Sequence, residues 1–252
     1  MIGTRDVRPR FNLPSQVLPV ISQLYDLYTV SADVQLQLNR LRQRFSGLNA
    51  ITGIIEDLSI IIQWFDHETR KDDRFYDLSN ISGRWLIPIV HRCLELVSVR
   101  SERDERPEKQ MLEILRHSVI LLLQPIRRRF AINTGSPELR IHKLKAILQK
   151  DSLDWDGLES LLRWCVVSAG MEASSIDDQL HFAGILAQSH QFRFMESDTH
   201  LSGVRSFIWK EDLLQEPATR FLSQVDRIKN GLPDGVAVIE PVAVAMPSGT
   251  KV

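Results

Sequence analysis

His91 and Glu172 are the residues whose type and position best suit proton transfer or the orientation of a ligand. His91 lies between Ile89-Val90 and Cys93-Leu94, which places an imidazole that titrates near neutral pH on or near an apolar helix face. Glu172 follows Gly170 at the end of an apolar segment. The structural alternatives are a buried, hydrogen-bonded histidine and a glutamate that pairs with a basic neighbour. Both residues are candidate catalytic groups.

Three tryptophans are candidates for binding an apolar ligand. Trp64, Trp85 and Trp164 each combine a large apolar surface with one N–H group that needs a partner. Such side chains line pockets for apolar small molecules, and they also fill the cores of helical proteins. The sequence leaves both uses open. If a pocket exists, we expect the helices that carry these tryptophans, His91 and Glu172 to form it.

Two polar segments have spacings that occur in catalytic sites. Asp72, Asp73 and Asp77 form an Asp-Asp-x-x-x-Asp pattern, which can share a hard cation such as Mg²⁺. The basic residues beside these acids favour a solvated, ion-paired helix start instead. His67 lies between Asp66 and Glu68, but adjacent residues on a helix point in different directions. We therefore interpret this second segment as a polar helix end.

The sequence predicts neither a metal site nor a cofactor. His181, His190 and His200 are nine and ten residues apart, which is not the one-turn spacing of zinc ligands on a helix. Cys93 and Cys165 each lie in an apolar stretch, which favours buried free thiols over a disulfide or a metal site. Glycine-rich phosphate loops and nucleophile-elbow motifs are absent from the sequence.

Helical periodicity dominates the elements that must position these side chains. Apolar residues between Ile51 and Phe65 recur at the three- and four-residue spacing of one helix face. We predict an all-α fold, a single irregular array of about ten helices. The domain organisation is an extension at 1–14, a helical domain at 15–230 and a flexible tail at 231–252. Helices are predicted near 15–29, 32–45, 48–65, 76–99, 107–130, 137–149, 155–171, 175–189, 203–213 and 216–230.

Composition limits the classes of partner. Among the 252 residues, Lys and Arg total 31 and Asp and Glu total 32, so the net charge of −1 disfavours direct binding to nucleic acid. The longest uninterrupted apolar run, Val119 to Leu123, is far shorter than the roughly 20 residues of a membrane helix. No secretory signal is recognisable at the N-terminus. We expect an intracellular protein, nuclear or cytoplasmic, without a membrane anchor.

Several segments resemble one family. Glu113–Phe130 is a long apolar helix that ends in a basic-aromatic run, and Leu161–Ala173, preceded by Trp155, is similar to a Trp…Leu-Leu-x-Trp…Gly-x-Glu-Ala helix. Val204–Trp209 resembles an apolar Phe-x-Trp segment, and Phe75–Leu96 also looks like a helix of this family. Together they resemble the fungal-specific transcription factor domain, which follows a six-cysteine zinc cluster. The resemblance implies an α-helical fold, fungal origin and ligand-responsive regulation.

The chain departs from this family at the DNA-binding module. Six thiolates hold the two zinc ions of that cluster, and this sequence has only two cysteines, far apart. We therefore expect a regulator-like module that binds a small apolar ligand or a DNA-binding partner protein. The alternative is a metal-free enzyme, a cyclase or isomerase of a fungal natural-product pathway, that uses a repurposed helical pocket.

Overall fold

The described part of the chain is helical. The computed structural model describes residues 20–72, 74–77, 79–96, 106–132, 135–150, 153–189, 192, 195 and 197–231. This part is 80% helical and contains no β-strand, which confirms the predicted all-α class and the number of helices. The predicted extension at 1–14 and the predicted tail beyond Gly231 lie outside the described residues.

Ten α-helices and two 3₁₀ turns follow one another in this part of the chain. The 3₁₀ turns are Ser46–Leu48 and Phe75–Asp77, which precede α3 and α4 respectively. The helices are α1 Val20–Tyr25, α2 Ala32–Arg44, α3 Asn49–Lys71, α4 Ser79–Glu95, α5 Pro107–Arg129, α6 Glu138–Leu148, α7 Glu159–Glu172, α8 Ile176–Gln188, α9 Ser197–Arg205 and α10 Glu211–Gly231.

Helices α5 and α7 form the centre of the array. Helix α5 packs against α3, α4, α6 and α7, and α7 also packs against α8, α9 and α10. Every residue of α7 from Leu161 to Gly170 is buried, as expected of a helix that is apolar on all sides. The buried surface of α5 extends from Gln110 to Arg127 and includes several polar side chains.

Both cysteines belong to this core. Cys93 of α4 and Cys165 of α7 are free and fully buried, which confirms the prediction of buried thiols. Burial raises the pKa of each thiol to about 12. Neither thiol is therefore activated as a nucleophile at neutral pH.

The segment Ser46–Lys71, which contains α3, is long and apolar enough to cross a membrane by length and composition alone. Of its most apolar window, 61% is buried inside the protein, which is the pattern of a core helix in a soluble protein. The apolar residues of α3 face α1, α2, α4 and α5. Packing in the core of the array therefore explains why α3 is long and apolar.

The last two helices begin earlier than the sequence predicts. The apolar residues Phe207, Ile208 and Trp209 favour a helix over 203–213, but they lie in the connection between α9 and α10. All three are buried there, with at most 8% of their surface exposed. These three apolar residues therefore anchor the connection between α9 and α10 in the core. They do not form one face of a helix.

Helix α5 ends in a Schellman motif whose left-handed residue is an alanine. The N–H of Ile132 donates to the carbonyl of Arg127 at 3.0 Å, and the N–H of Ala131 donates to the carbonyl of Arg128 at 2.9 Å. Ala131 has a φ of 54°, a conformation that costs an L-residue with a Cβ about 1 kcal/mol. Glycine adopts this conformation without that cost.

Ala131→Gly should therefore stabilise the protein, by about 1 kcal/mol in the free energy of unfolding. Urea denaturation followed by circular dichroism measures the change. Ala146→Gly is the matched control, because Ala146 is exposed within α6 and its replacement should cost about 1 kcal/mol of helix propensity. Destabilisation by both substitutions would contradict the assignment of Ala131 as a strained cap.

Candidate functional site

A groove beside the last turns of α3 brings several polar side chains together. It has a volume of about 590 Å³ and lies between α3 and the turn that follows α1. We call it the α3 cleft. Its lining is polar or amphipathic throughout and consists of Tyr28, Gln63, Asp66, His67, Arg70 and Lys71.

Side chains of α3 hold one wall of the cleft in place. The amide of Gln63 donates to the carbonyl of Thr29 at 3.0 Å and thereby ties the turn after α1 to α3. The ring of His67 meets Tyr28 edge to face, with 6.1 Å between the centroids. Lys71 pairs with Glu68 at 3.0 Å. These contacts position hydrogen-bonding groups along a rigid helix, which favours a defined binding surface.

Asp66 connects the cleft to a buried lysine. Its Oδ1 lies 2.9 Å from Nζ of Lys210, whose side chain is 3% exposed. The same ammonium group donates to Oγ1 of Thr69 at 3.0 Å and lies 2.5 Å from Oδ1 of Asp212. Lys210 thus meets an oxygen acceptor with each of its three N–H donors, as a buried ammonium group requires.

Tyr76 extends these contacts towards the end of α5. Its hydroxyl donates to Oδ2 of Asp212 at 2.8 Å, and the guanidinium of Arg129 lies 5.2 Å from the centre of its ring. We call Asp66, Thr69, Tyr76, Lys210 and Asp212 the Lys210 network. It joins the C-terminal end of α3 to the start of α10.

The network perturbs the ionisation of its acids. Burial raises the pKa of the Asp66 carboxyl above its usual range, and the hydrogen bond from Lys210 opposes that shift. Burial and the carboxylate of Asp212 raise the pKa of Tyr76, so the phenol stays protonated. A carboxyl group with a raised pKa at the edge of a cleft can act as a proton donor as well as a ligand contact.

The structure brings the predicted ligand-binding residues Trp64 and Trp85 together, outside the lining of the α3 cleft. Their rings are 4.7 Å apart and inclined at 45°. Phe65, Phe75 and Phe130 join them, with 5.3 Å between the rings of Phe65 and Phe75 and 5.7 Å between those of Phe65 and Phe130. These rings form an aromatic cluster between α3, α4 and the end of α5.

Trp164 and His91 lie in other parts of the array. Trp164 of α7 is fully buried, and its ring lies 5.2 Å from that of Phe207. His91 of α4 is 3% exposed, with Nδ1 3.5 Å from a carboxylate oxygen of Glu95. The structure therefore distributes the predicted site over separate groups of helices, and the functional roles of these residues stay predictions.

Glu172 is held by an arginine of α5. Its two carboxylate oxygens accept from the guanidinium of Arg128 at 2.5 and 2.7 Å, and its side chain is 3% exposed. Arg128 and Glu172 lie at the C-terminal ends of α5 and α7, so this two-point ion pair joins the central helices. Its neighbours Met171 and Ala173 line a second, smaller cleft of about 270 Å³.

The acidic motif and the histidines do not converge in the described part of the chain. Oδ1 of Asp72 accepts from the backbone N–H of Arg74 at 2.9 Å, whereas Asp73 lies outside the described residues, as does His190. His200 lies against Lys229, with 3.0 Å between Nε2 and Nζ, and burial lowers its pKa to about 4. Among the described residues, no three His, Cys, Asp or Glu side chains could hold a metal ion.

Sequence reasoning missed Lys210 and Asp212. They follow the apolar Phe207–Trp209 segment, where a lysine next to two acids is typical of a solvated helix start. In the sequence, Asp66 stands out only as a polar neighbour of His67. No local pattern pairs it with Lys210, because the partner of a buried charge depends on tertiary packing.

Comparisons with protein-family models, curated proteins and solved structures found no match to this chain.

Proposed function

We propose that this chain is a regulator-like helical module that binds a small polar molecule in the α3 cleft. The observation that carries this proposal is the position of Asp66, whose carboxylate belongs to the cleft and also to the Lys210 network. A ligand that hydrogen-bonds to Asp66 changes the interaction that anchors the start of α10. Binding and the packing of the C-terminal helices are thus energetically linked.

The cleft favours a polar ligand over the apolar one expected from the tryptophans. Gln63, His67 and the hydroxyl of Tyr28 supply donors and acceptors, and Arg70 adds an exposed positive charge. Trp64 and Trp85 pack against each other in the aromatic cluster. The resemblance of four segments to the fungal transcription factor domain supports a role in transcriptional regulation, through association with a DNA-binding partner.

An enzyme is the second candidate, and a different property of Asp66 favours it. Its raised pKa places a protonated carboxyl group within reach of a cleft ligand over a wider pH range than usual. Such a group can donate a proton in a metal-free cyclisation or isomerisation. Asp66 would then be the catalytic residue, while His67 and Gln63 would orient the substrate.

Replacement of the gene by a His67→Ala allele tests both candidates. His67 is exposed in the cleft, so its removal should impair binding without loss of folding. His142→Ala is the matched control, because its side chain is 65% exposed on α6. Transcript and metabolite profiles are compared with those of a gene deletion.

If the protein is a regulator, His67→Ala should reproduce the broad transcript changes of the deletion, and His142→Ala should resemble the wild type. If one metabolic intermediate accumulates while transcript levels stay normal, the protein is an enzyme and the proposal of a regulator is wrong. A wild-type profile for His67→Ala, where the deletion has an effect, would refute both uses of the α3 cleft.

A further inference from the structure

The α3 cleft contains a carboxylate and a guanidinium that do not bond to each other. Asp66 and Arg70 both line the cleft and are one turn apart on α3. Side chains at this spacing are neighbours, and an aspartate and an arginine would ordinarily form an ion pair. Here Oδ1 of Asp66 lies 2.9 Å from Nζ of Lys210 instead. The contact with Lys210 thus leaves two opposite charges apart along one groove.

Arg70 has no acceptor among the described residues. Its guanidinium is exposed, and no described group accepts a hydrogen bond from it or lies within ion-pair distance. Its charge still acts on the carboxyl of Asp66, where it opposes the rise in pKa that burial causes. The two groups are therefore close enough to interact but too far apart to bond.

The lysines around the cleft are already paired. Lys71 lies 3.0 Å from Glu68, and the buried Lys210 contacts both Asp66 and Asp212. Asp66 keeps its second oxygen, Oδ2, without a hydrogen bond from a described residue, and its side chain is 30% exposed. A ligand in the cleft therefore meets one available negative group and one available positive group.

We propose that the α3 cleft binds a free amino acid with an aromatic side chain. The carboxylate of the ligand accepts two parallel N–H···O bonds from the guanidinium of Arg70. Its ammonium group donates to Oδ2 of Asp66 and to the side-chain oxygen of Gln63, which lies one turn earlier on α3. This inference rests on the function proposed for the cleft and specifies the class of ligand.

A ligand with a single charge fits this arrangement less well. Arg70 would attract a simple anion while Asp66 would repel it, and a simple cation would meet the reverse. A zwitterion satisfies both groups. The rings of Tyr28 and His67, with 6.1 Å between their centroids, offer aromatic surface to the side chain of the ligand. The cleft volume of about 590 Å³ is typical of small-molecule sites.

Isothermal titration calorimetry of the full chain tests the assignment. L-Phenylalanine, L-tyrosine and L-tryptophan are titrated first, and at least one of them should bind with one ligand per chain. The tightest is then compared with its deaminated acid, its decarboxylated amine and L-alanine. Each of these should bind at least about tenfold more weakly, because it lacks a charged hydrogen-bonding group or the ring. Equal binding of any of the three would overturn the assignment.

Two arginine variants show whether the ligand carboxylate lies at Arg70. Arg70→Met should weaken binding of the amino acid at least about tenfold but should not weaken binding of the decarboxylated amine, a difference that a purely structural role would not produce. Arg74→Met is the matched control, because it deletes an 85% exposed charge outside the cleft and should bind like the wild type. Equal weakening by both substitutions would refute the site.

Failure of this inference can be told apart from failure of the function proposed for the cleft. If the acid or the amine binds as tightly as the amino acid and His67→Ala abolishes that binding, the cleft is a binding site and only the class of ligand is wrong. If none of the probes binds, the amino-acid assignment is wrong, and the gene replacement by His67→Ala still decides the proposed function.

Discussion

Lys210→Met should destabilise the protein by about 2–3 kcal/mol, one of the two largest effects that we expect from one substitution. The methionine fills a similar volume but leaves the carboxylates of Asp66 and Asp212 without their shared cation. The loss is smaller than for a fully buried ion pair, because the side chains of Asp66 and Asp212 are 30% and 45% exposed and water solvates part of each carboxylate. Urea denaturation at pH 7 measures the loss.

The pH dependence of this loss identifies its cause. Asp66 already has a raised pKa, and without Lys210 the pKa of its carboxyl group should rise further. A carboxyl group with a raised folded-state pKa favours folding below the unfolded pKa, and this contribution is lost as the pH rises through the folded pKa. The difference between Lys210→Met and the wild type should therefore shrink as the pH falls from 7 to about 4.

Lys71→Met is the control for charge removal. Lys71 is 59% exposed and pairs with Glu68, so its loss should change stability by no more than about 0.5 kcal/mol. If Lys210→Met had an equally small effect, the Lys210 network would not contribute to folding. If its effect were large but independent of pH, loss of packing and not loss of charge would explain it.

Gly170→Ala should cost about 2–3 kcal/mol, although alanine is the better helix former. A Cβ at this position would lie 2.2 Å from a ring carbon of Phe221, and that ring is only 2% exposed. Helices α7 and α10 would have to separate, because an aromatic ring in a packed core cannot bend away. Thermal and urea unfolding both report this loss.

Gly184→Ala is the matched control within the same group of helices. A Cβ there would meet nothing within 4 Å, so the substitution should stabilise α8 by about 1 kcal/mol. Phe221→Leu in the Gly170→Ala background should restore part of the lost stability by making room for the methyl group. Similar effects at Gly170 and Gly184 would contradict the close approach of α7 and α10.

Helix positions followed from the sequence wherever the signal was local. The predictions at 32–45 and 107–130 agree with α2 and α5 to within one residue. An N-cap serine, Ser31, precedes α2, and Pro107 occupies the first turn of α5, so both starts are encoded by a few adjacent residues. Capping and periodicity act over one or two turns, and the sequence displays them directly.

The predicted end of α3 shows where local reasoning failed. The polar residues after Phe65 favour a break, yet the helix continues to Lys71. Asp66 and Thr69, which lie three residues apart on one face, both contact Lys210. Lys210, which is distant in sequence, thus binds the polar face of this last helical turn. In the sequence alone, the same residues are only a run of polar side chains.

Contacts between residues distant in sequence also could not be predicted for the candidate site. The sequence identified Glu172 as a polar residue at the end of an apolar helix and left pairing or ligand contact open. Only the fold places Arg128 against it and draws Trp64 onto Trp85.

By itself, the sequence determined the all-α class, the number of helices and the burial of both thiols, because apolar spacing is a short-range property of the chain. The tertiary structure decided which charges are inside. Lys210 and Thr69 are 141 positions apart, and the burial of Arg127 requires the approach of α6 to α5. The energy of a buried charge depends on every element packed around it, and a local sequence pattern does not predict that packing.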